Sequence, residues 1–139
     1  MSLPQGDFVW PVRIYWEDTD AGGVVYYANY LKFLERARSE WLRAQGFEQP
    51  ALITRHQAMF VVRRVEIDYL QPARFNDALT VRVRPEPPGR ARIAVTQSVY
   101  CDDRCLCTAR VTLAWVSADD FKPARIPPEL LAGLAPLSD

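Results

Sequence analysis

Residues 16 to 30 read Trp16-Glu17-Asp18-Thr19-Asp20-Ala21-Gly22-Gly23-Val24-Val25-Tyr26-Tyr27-Ala28-Asn29-Tyr30. Carboxylates are crowded at Glu17, Asp18 and Asp20, a glycine pair follows, and a helical pattern starts directly after it. A carboxylate is anionic at neutral pH, so it can attack a carbonyl carbon or take a proton from water. The first amides of a helix lack intrahelical partners and carry the positive end of its dipole, so they can receive a developing oxyanion. Acyl transfer is therefore within reach of these residue types at this spacing. Gly22 and Gly23 allow backbone to approach a ligand closely, and Val24 to Tyr27 is unusually apolar for a solvated turn. The plainer alternative is an acidic turn whose Asp or Thr caps the following helix.

These residues need elements to position them. Val12, Ile14 and Trp16 alternate with Arg13, Tyr15 and Glu17, which predicts a half-buried strand running up to the acidic cluster. The period then changes. Tyr30, Leu34, Ala37, Trp41 and Ala44 recur at helical spacing, with Phe33 and Leu42 widening the apolar face. The pattern predicts a helix from Ala28 or Asn29 to Gly46, roughly 25 Å long and the only long one.

Downstream the alternation is that of strands. Met59, Val61, Val65, Ile67 and Tyr69 share one parity; Leu79, Val81 and Val83 share another run; Ile93, Val95 and Val99 follow; and Cys105 to Trp115 alternate strictly. Gln71 to Asp77, Pro85 to Gly89 and Asp102-Asp103 carry the turns. A short helix is expected around Glu129 to Ala132 within an otherwise irregular tail containing Pro123, Pro127, Pro128 and Pro136. The expected fold is α+β: one strand, one long helix, then about four strands in a mostly antiparallel sheet. One helix covers one face of such a sheet, so a second subunit is expected to help bury the rest.

Bulk properties narrow the function classes. With 139 residues the chain reads as a single domain, its core at about 10–120. Apolar residues make up 49% and charged residues 24%, ordinary values for a globular protein. Lys plus Arg equals Asp plus Glu at 17 each, so no global field favours nucleic acid or an anionic membrane. No apolar run approaches a membrane span, and Met1 to Val9 lacks the pattern of a secretory leader, which leads to a cytoplasmic expectation. Cys101, Cys105 and Cys107 are odd in number and far in sequence from the single histidine, His56; they read as reduced strand residues and no metal or cofactor is expected.

The acidic turn also permits a phosphohydrolase reading, in which an Asp-x-Asp after a strand holds Mg²⁺, but that chemistry needs a parallel sheet with several crossover helices. A closer match lies in Arg13-x-Tyr15-x-Glu17-Asp18-Thr19-Asp20-Ala21-Gly22-Gly23-Val24-Val25-Tyr26-Tyr27-Ala28-Asn29-Tyr30-Leu31, followed by Phe33-x-Glu35-x-Ala37-Arg38 and later by Ile67-x-Tyr69-x-x-Pro72-Ala73-Arg74-x-x-Asp77. This pattern resembles the signature of hotdog-fold acyl-CoA thioesterases, in particular the 4-hydroxybenzoyl-CoA thioesterase and YbgC-type branches. The resemblance implies a long central helix wrapped by a largely antiparallel sheet of about five strands.

It also implies roles. The family's carboxylate falls on Asp20, as nucleophile or as base toward water, and its backbone oxyanion donor falls on Tyr27. YbgC-type sequences usually carry His at this position, so Tyr27 leans toward the hydroxybenzoyl branch. Glu17 and Asp18 are expected to cap or orient. Gly23, Asn29 and Arg63 are candidates for the substrate site, although Asn29 also suits a cap or a bond to the acidic loop, and Arg63 also suits an interface or a β-bulge. Arg82, Arg84, Arg90 and Arg92 are open to coenzyme A phosphates or to solvent. The expected partners are an acyl-CoA substrate or an acyl carrier protein, and a second copy in a homodimer or homotetramer. Two alternatives remain beside hydrolysis: a non-catalytic acyl-thioester or carrier-protein scaffold, and a hydratase, for which His56 is the only imidazole.

Overall fold

The structure is a computed structural model that describes residues 7–134. Pro136 of the tail and the start of the Met1 to Val9 segment lie outside the described residues. Five strands, β1 (Phe8–Arg13), β2 (Ala58–Tyr69), β3 (Ala78–Pro85), β4 (Arg92–Cys101) and β5 (Arg104–Ser117), pair antiparallel in the order β1-β3-β4-β5-β2. The helices are α1 (Asn29–Ala44), α2 (Gln49–His56) and α3 (Pro128–Leu134).

Helix α1 follows its period. Tyr30, Phe33, Leu34, Ala37, Trp41 and Leu42 are buried against the inner sheet face, while Lys32, Glu35, Arg36 and Ser39 face outward. It ends on Gly46 at φ +91°, with the Phe47 amide donating to the Leu42 carbonyl at 3.0 Å and the Gly46 amide to that of Arg43 at 2.9 Å. That pair of bonds is the Schellman closure, which places a left-handed residue just past the helix. The opposing rows Val81 and Val83, Val95 and Val99, and Cys107 and Val111 are fully buried. Trp115 closes the far end, its ring 4.8 Å from Phe60 and 6.0 Å from His56. Truncating Trp115 to Ala should cost about 3–5 kcal/mol, read as a lowered denaturation midpoint in urea.

Three features depart from the sequence-based expectation. Strand β1 stops at Arg13, and Trp16 is not its buried end but an exposed residue of a 3₁₀ turn over Trp16–Asp18. The Asp18 carboxylate accepts from the Tyr15 amide at 2.9 Å and bends the chain there. In β2 the inner residues are first Ala58 and Phe60; a bulge between Val62 and Arg64 then resets the parity, so that Val65, Ile67 and Tyr69 point inward. Arg63 sits in that bulge, one of the readings its sequence position allowed. Helix α2 was not expected: only Leu52 is buried along it, and Pro50 starts rather than breaks it.

Helix α3 lies where a short helix was expected, and it packs into the core rather than trailing from it. Ile126, Leu130 and Leu134 are fully buried, and Glu129 joins α2 through Arg55 at 3.0 Å and His56 at 3.2 Å. The outer sheet face is polar. Arg84 pairs with Asp7 at 2.6 Å, and Arg110 with Glu86 at 2.8 Å.

Candidate active site

The acidic turn is a small two-stranded excursion stapled to the loop before β3. The Asp20 amide donates to the Val24 carbonyl at 2.9 Å, and the Gly23 amide donates back to that of Asp20 at 3.0 Å. Gly23 has φ +78°, a conformation that disfavours a side chain, so the turn needs glycine there. The Val25 amide donates to the Ala73 carbonyl at 2.8 Å, while Val24 bridges to Arg74. Val25 is buried and anchors the excursion to the core.

Each carboxylate then has a distinct setting. The Asp18 side chain accepts from the Tyr15 amide, and its carbonyl accepts from the Tyr26 amide at 3.1 Å and from Asn29 Nδ2 at 2.9 Å. Asp18 is therefore occupied in holding the turn against the start of α1. Asp20 is exposed, and one of its oxygens accepts from the Gly22 amide at 2.8 Å. Its other oxygen accepts no hydrogen bond among the described residues; the same holds for the second oxygen of Asp18 and for Glu17, so what sets Asp20 apart is its place directly before the glycine pair. Asn29 bonds the acidic loop rather than capping α1 with its side chain.

The start of α1 completes the geometry. Tyr27 and Ala28 precede the first helical residue, and neither amide donates to an acceptor among the described residues. The Tyr27 ring is largely exposed, 4.9 Å from Tyr26 and 6.0 Å from Tyr69. Tyr30 lies beneath, 5.4 Å from Tyr69, and its hydroxyl accepts from the Ala73 amide at 2.9 Å. An aromatic wall therefore stands beside the Tyr27 amide. Tyr69, which received no role from the sequence, joins it; the Ile67-x-Tyr69 motif was the available signal.

The electrostatics leave the acid–base work to carboxylates. Burial pushes the hydroxyls of Tyr30 and Tyr69 above the usual phenol range, and a hydrogen bond with Tyr27 raises Tyr26. Burial pushes the nearby Cys107 thiol up to about 12. These groups stay protonated at neutral pH and are donors rather than bases or thiolate nucleophiles. His56 is engaged by Glu129 and Trp115.

Comparison with known proteins places the chain in a family. Residues 14–134 match the model of the thioesterase-like superfamily. The chain belongs to this family. This thioesterase-like chain is 42% identical to the acyl-CoA thioesterase YbgC of Haemophilus influenzae, over 90% of its own length and 92% of the relative's. A probable thioesterase structure from Bartonella henselae superposes with TM-score 0.83 at 37% identity, covering 87% of this chain and 99% of that one. The hotdog fold is shared more widely: a 4-hydroxybenzoyl-CoA thioesterase bound to 4-hydroxybenzoyl-CoA superposes with TM-score 0.86 at only 16% identity, covering 94% of this chain and 99% of that one. Chain-wide identity thus runs higher with the YbgC relative, although Tyr27 leaned toward the hydroxybenzoyl branch.

Not every sequence candidate comes together. Asp20 and Gly23 share the acidic turn, Asn29 bonds that turn through Asp18, and Tyr27 lies between the turn and α1. Arg63 is exposed in the β2 bulge and lines an outer-face depression of about 380 Å³ with Glu86, Arg92 and Arg110. A larger depression, about 510 Å³, is lined by Arg82, Arg84, Arg110 and the acids Asp7, Glu66 and Asp68. Neither contains a residue of the acidic turn.

Asn29→Ala offers a test of the turn's support. Loss of the bond to Asp18 should lower turnover ~10-fold or more, with unfolding free energy changed by only about 1 kcal/mol. Steady-state kinetics alongside urea denaturation check both.

Proposed function

We propose that the chain hydrolyses acyl-CoA thioesters to free acid and CoA. The observation that carries the reading is an acidic turn with a free Asp20 oxygen leading into the unpartnered Tyr27 amide at the start of α1, in a chain 42% identical to an acyl-CoA thioesterase. The substrate carbonyl would accept from the Tyr27 amide. Asp20 would then attack the carbonyl carbon, giving a mixed anhydride that water opens, or take a proton from the attacking water; either route expels the CoA thiolate. Tyr27 and Tyr69 would flank the acyl group, and Gly23 would let it approach the turn.

The active form in this proposal is at least a homodimer joined at β2. This strand ends the sheet, and Val62, Val65, Tyr69 and Leu70 are exposed along and just beyond it. Antiparallel pairing of two copies about Val65 would set Arg64 opposite Glu66 of the partner subunit, a favourable cross-strand charge pair. The free thiols Cys101, Cys105 and Cys107 suit a reducing compartment such as the cytoplasm.

Product analysis by mass spectrometry tests the reaction class. Incubation with saturated and 2-enoyl acyl-CoAs should yield free acid and CoA. Acyl-CoA bound but recovered intact would indicate a scaffold, and water added across the enoyl bond would indicate a hydratase.

A further inference from the structure

Along β4 the inward residues are Ile93, Val95, Val99 and Cys101, all buried, and Gln97 stands in the middle of them. Its neighbours across the sheet are Val83 on β3 and Ala109 on β5, both buried as well. The position asks for an apolar side chain, yet it holds an amide that is only 3% exposed. A buried amide is tolerated where its hydrogen bonds are met. Among the described residues, α1 meets those of Gln97. Its Nε2 donates to the Leu34 carbonyl at 3.0 Å, and its Oε1 accepts from Arg38 Nη1, also at 3.0 Å. Arg38 is the other polar side chain buried in the core.

The rest of the buried face of α1 is apolar, through Phe33, Leu34, Ala37 and Trp41. Apolar contact is non-directional, so it sets the distance of a helix from a sheet better than its position along its own axis. Hydrogen bonds supply the direction. Tyr30 reaches the Ala73 amide from the end of a long side chain, which can follow a small slide of the helix. Gln97 instead grips the helix backbone, and no other residue of a strand joins α1 by a side-chain hydrogen bond among the described residues. The entry to α1 is tied to its first turn: the Tyr30 amide donates to the Tyr27 carbonyl at 3.3 Å, and the Leu31 amide to that of Ala28 at 3.2 Å. A slide at Leu34 is thus carried to the Tyr27 amide, about 10 Å away along the axis. The turn that holds Asp20 is fastened separately, by Val25 to the Ala73 carbonyl, and meets α1 through the Asn29 side chain.

We propose that Gln97 is a positioning residue for the oxyanion donor: by holding the Leu34 carbonyl and the Arg38 guanidinium, it sets where the Tyr27 amide stands relative to Asp20. This rests on the thioesterase reading above and adds the strand residue that keeps the donor in place. The test replaces both partners, as Gln97→Met with Arg38→Met. Neither polar group is then left buried alone, so the thermal midpoint should stay within a few degrees of wild type. At a temperature where both proteins are folded, kcat should fall about tenfold or more while KM changes by less than about threefold. Gln97→Glu, which keeps an acceptor for Arg38 and loses the donor to Leu34, should fall between the two. A second readout follows the donor itself. In Asp20→Asn the bound thioester persists, and the infrared stretch of its carbonyl should lie below that of free acyl-CoA; adding the methionine pair should move it back toward the free value. Wild-type kcat in the folded methionine pair overturns the proposal and leaves hydrolysis standing. So does a carbonyl band that the pair leaves unmoved, even where stability and turnover fall together, since a purely structural pair would give that result. Where the methionine pair folds poorly, the same band in Gln97→Glu decides. No release of CoA by wild type from any acyl-CoA overturns the thioesterase reading as well.

Discussion

Asp20→Asn is expected to lower kcat by ~10³-fold or more while leaving the fold, the oligomer and acyl-CoA binding in place. The asparagine keeps an oxygen that can accept from the Gly22 amide, so the turn that Gly23 closes at φ +78° should persist. The anionic oxygen is what is lost, and with it both the attack on the carbonyl and the activation of water. Among nearby groups, Asp18 accepts from the Tyr15 amide, and Tyr26, Tyr30, Tyr69 and Cys107 have raised pKa values that keep them protonated. Because Asp20 is exposed, the thermal midpoint should move little. Turnover, midpoint and binding of a non-hydrolysable acyl-CoA analogue measure the three parts separately.

The second large effect is expected at the edge strand. Val65→Lys should dissociate the oligomer, weakening self-association by ~10²-fold or more, and turnover should fall with it. Val65 is already partly exposed in the isolated chain, so a lysine there costs the monomer little. At the centre of an antiparallel β2–β2 pair the two lysines would face each other, and like charges directly opposite disfavour pairing. Sedimentation velocity across a concentration series checks the assembly. A dimer as tight as wild type would remove β2 from the interface.

The parts of the fold written in periodicity were legible from residues alone. Tyr30, Phe33, Leu34, Ala37, Trp41 and Leu42 gave α1 and its buried face, and Gly46 gave its end. Strand β3 alternates cleanly, β4 and β5 do so except where their register shifts at Leu106, and Asp102 at φ +53° turns the hairpin where Asp102-Asp103 was expected to. What escaped was decided by single hydrogen bonds or by an extra residue. The bond from the Tyr15 amide to Asp18 pulls Trp16 out of the strand pattern, and the bulge around Arg63 splits one apparent parity into two. Both override a local pattern that is otherwise sound.

The site was legible in a different way. The spacing of Asp20, Gly22, Gly23 and the start of α1 was visible, yet charge count alone made Glu17, Asp18 and Asp20 equivalent. Hydrogen bonds show that Asp18 and Asn29 hold the turn, while Asp20 is set apart by its place before the glycine pair. Tyr69 and the Arg38–Gln97 pair were out of reach, since they meet the helix or the site only through sheet register across β4, β5 and β2.

Release of free thiol by the wild-type protein, followed continuously over a panel of short, long, aromatic and carboxylate-ended acyl-CoAs, tests the central claim most directly. Saturable release of CoA from at least one class, with an equal amount of free acid, is the predicted result. Saturable binding of those same acyl-CoAs with no CoA released above the uncatalysed rate would contradict it.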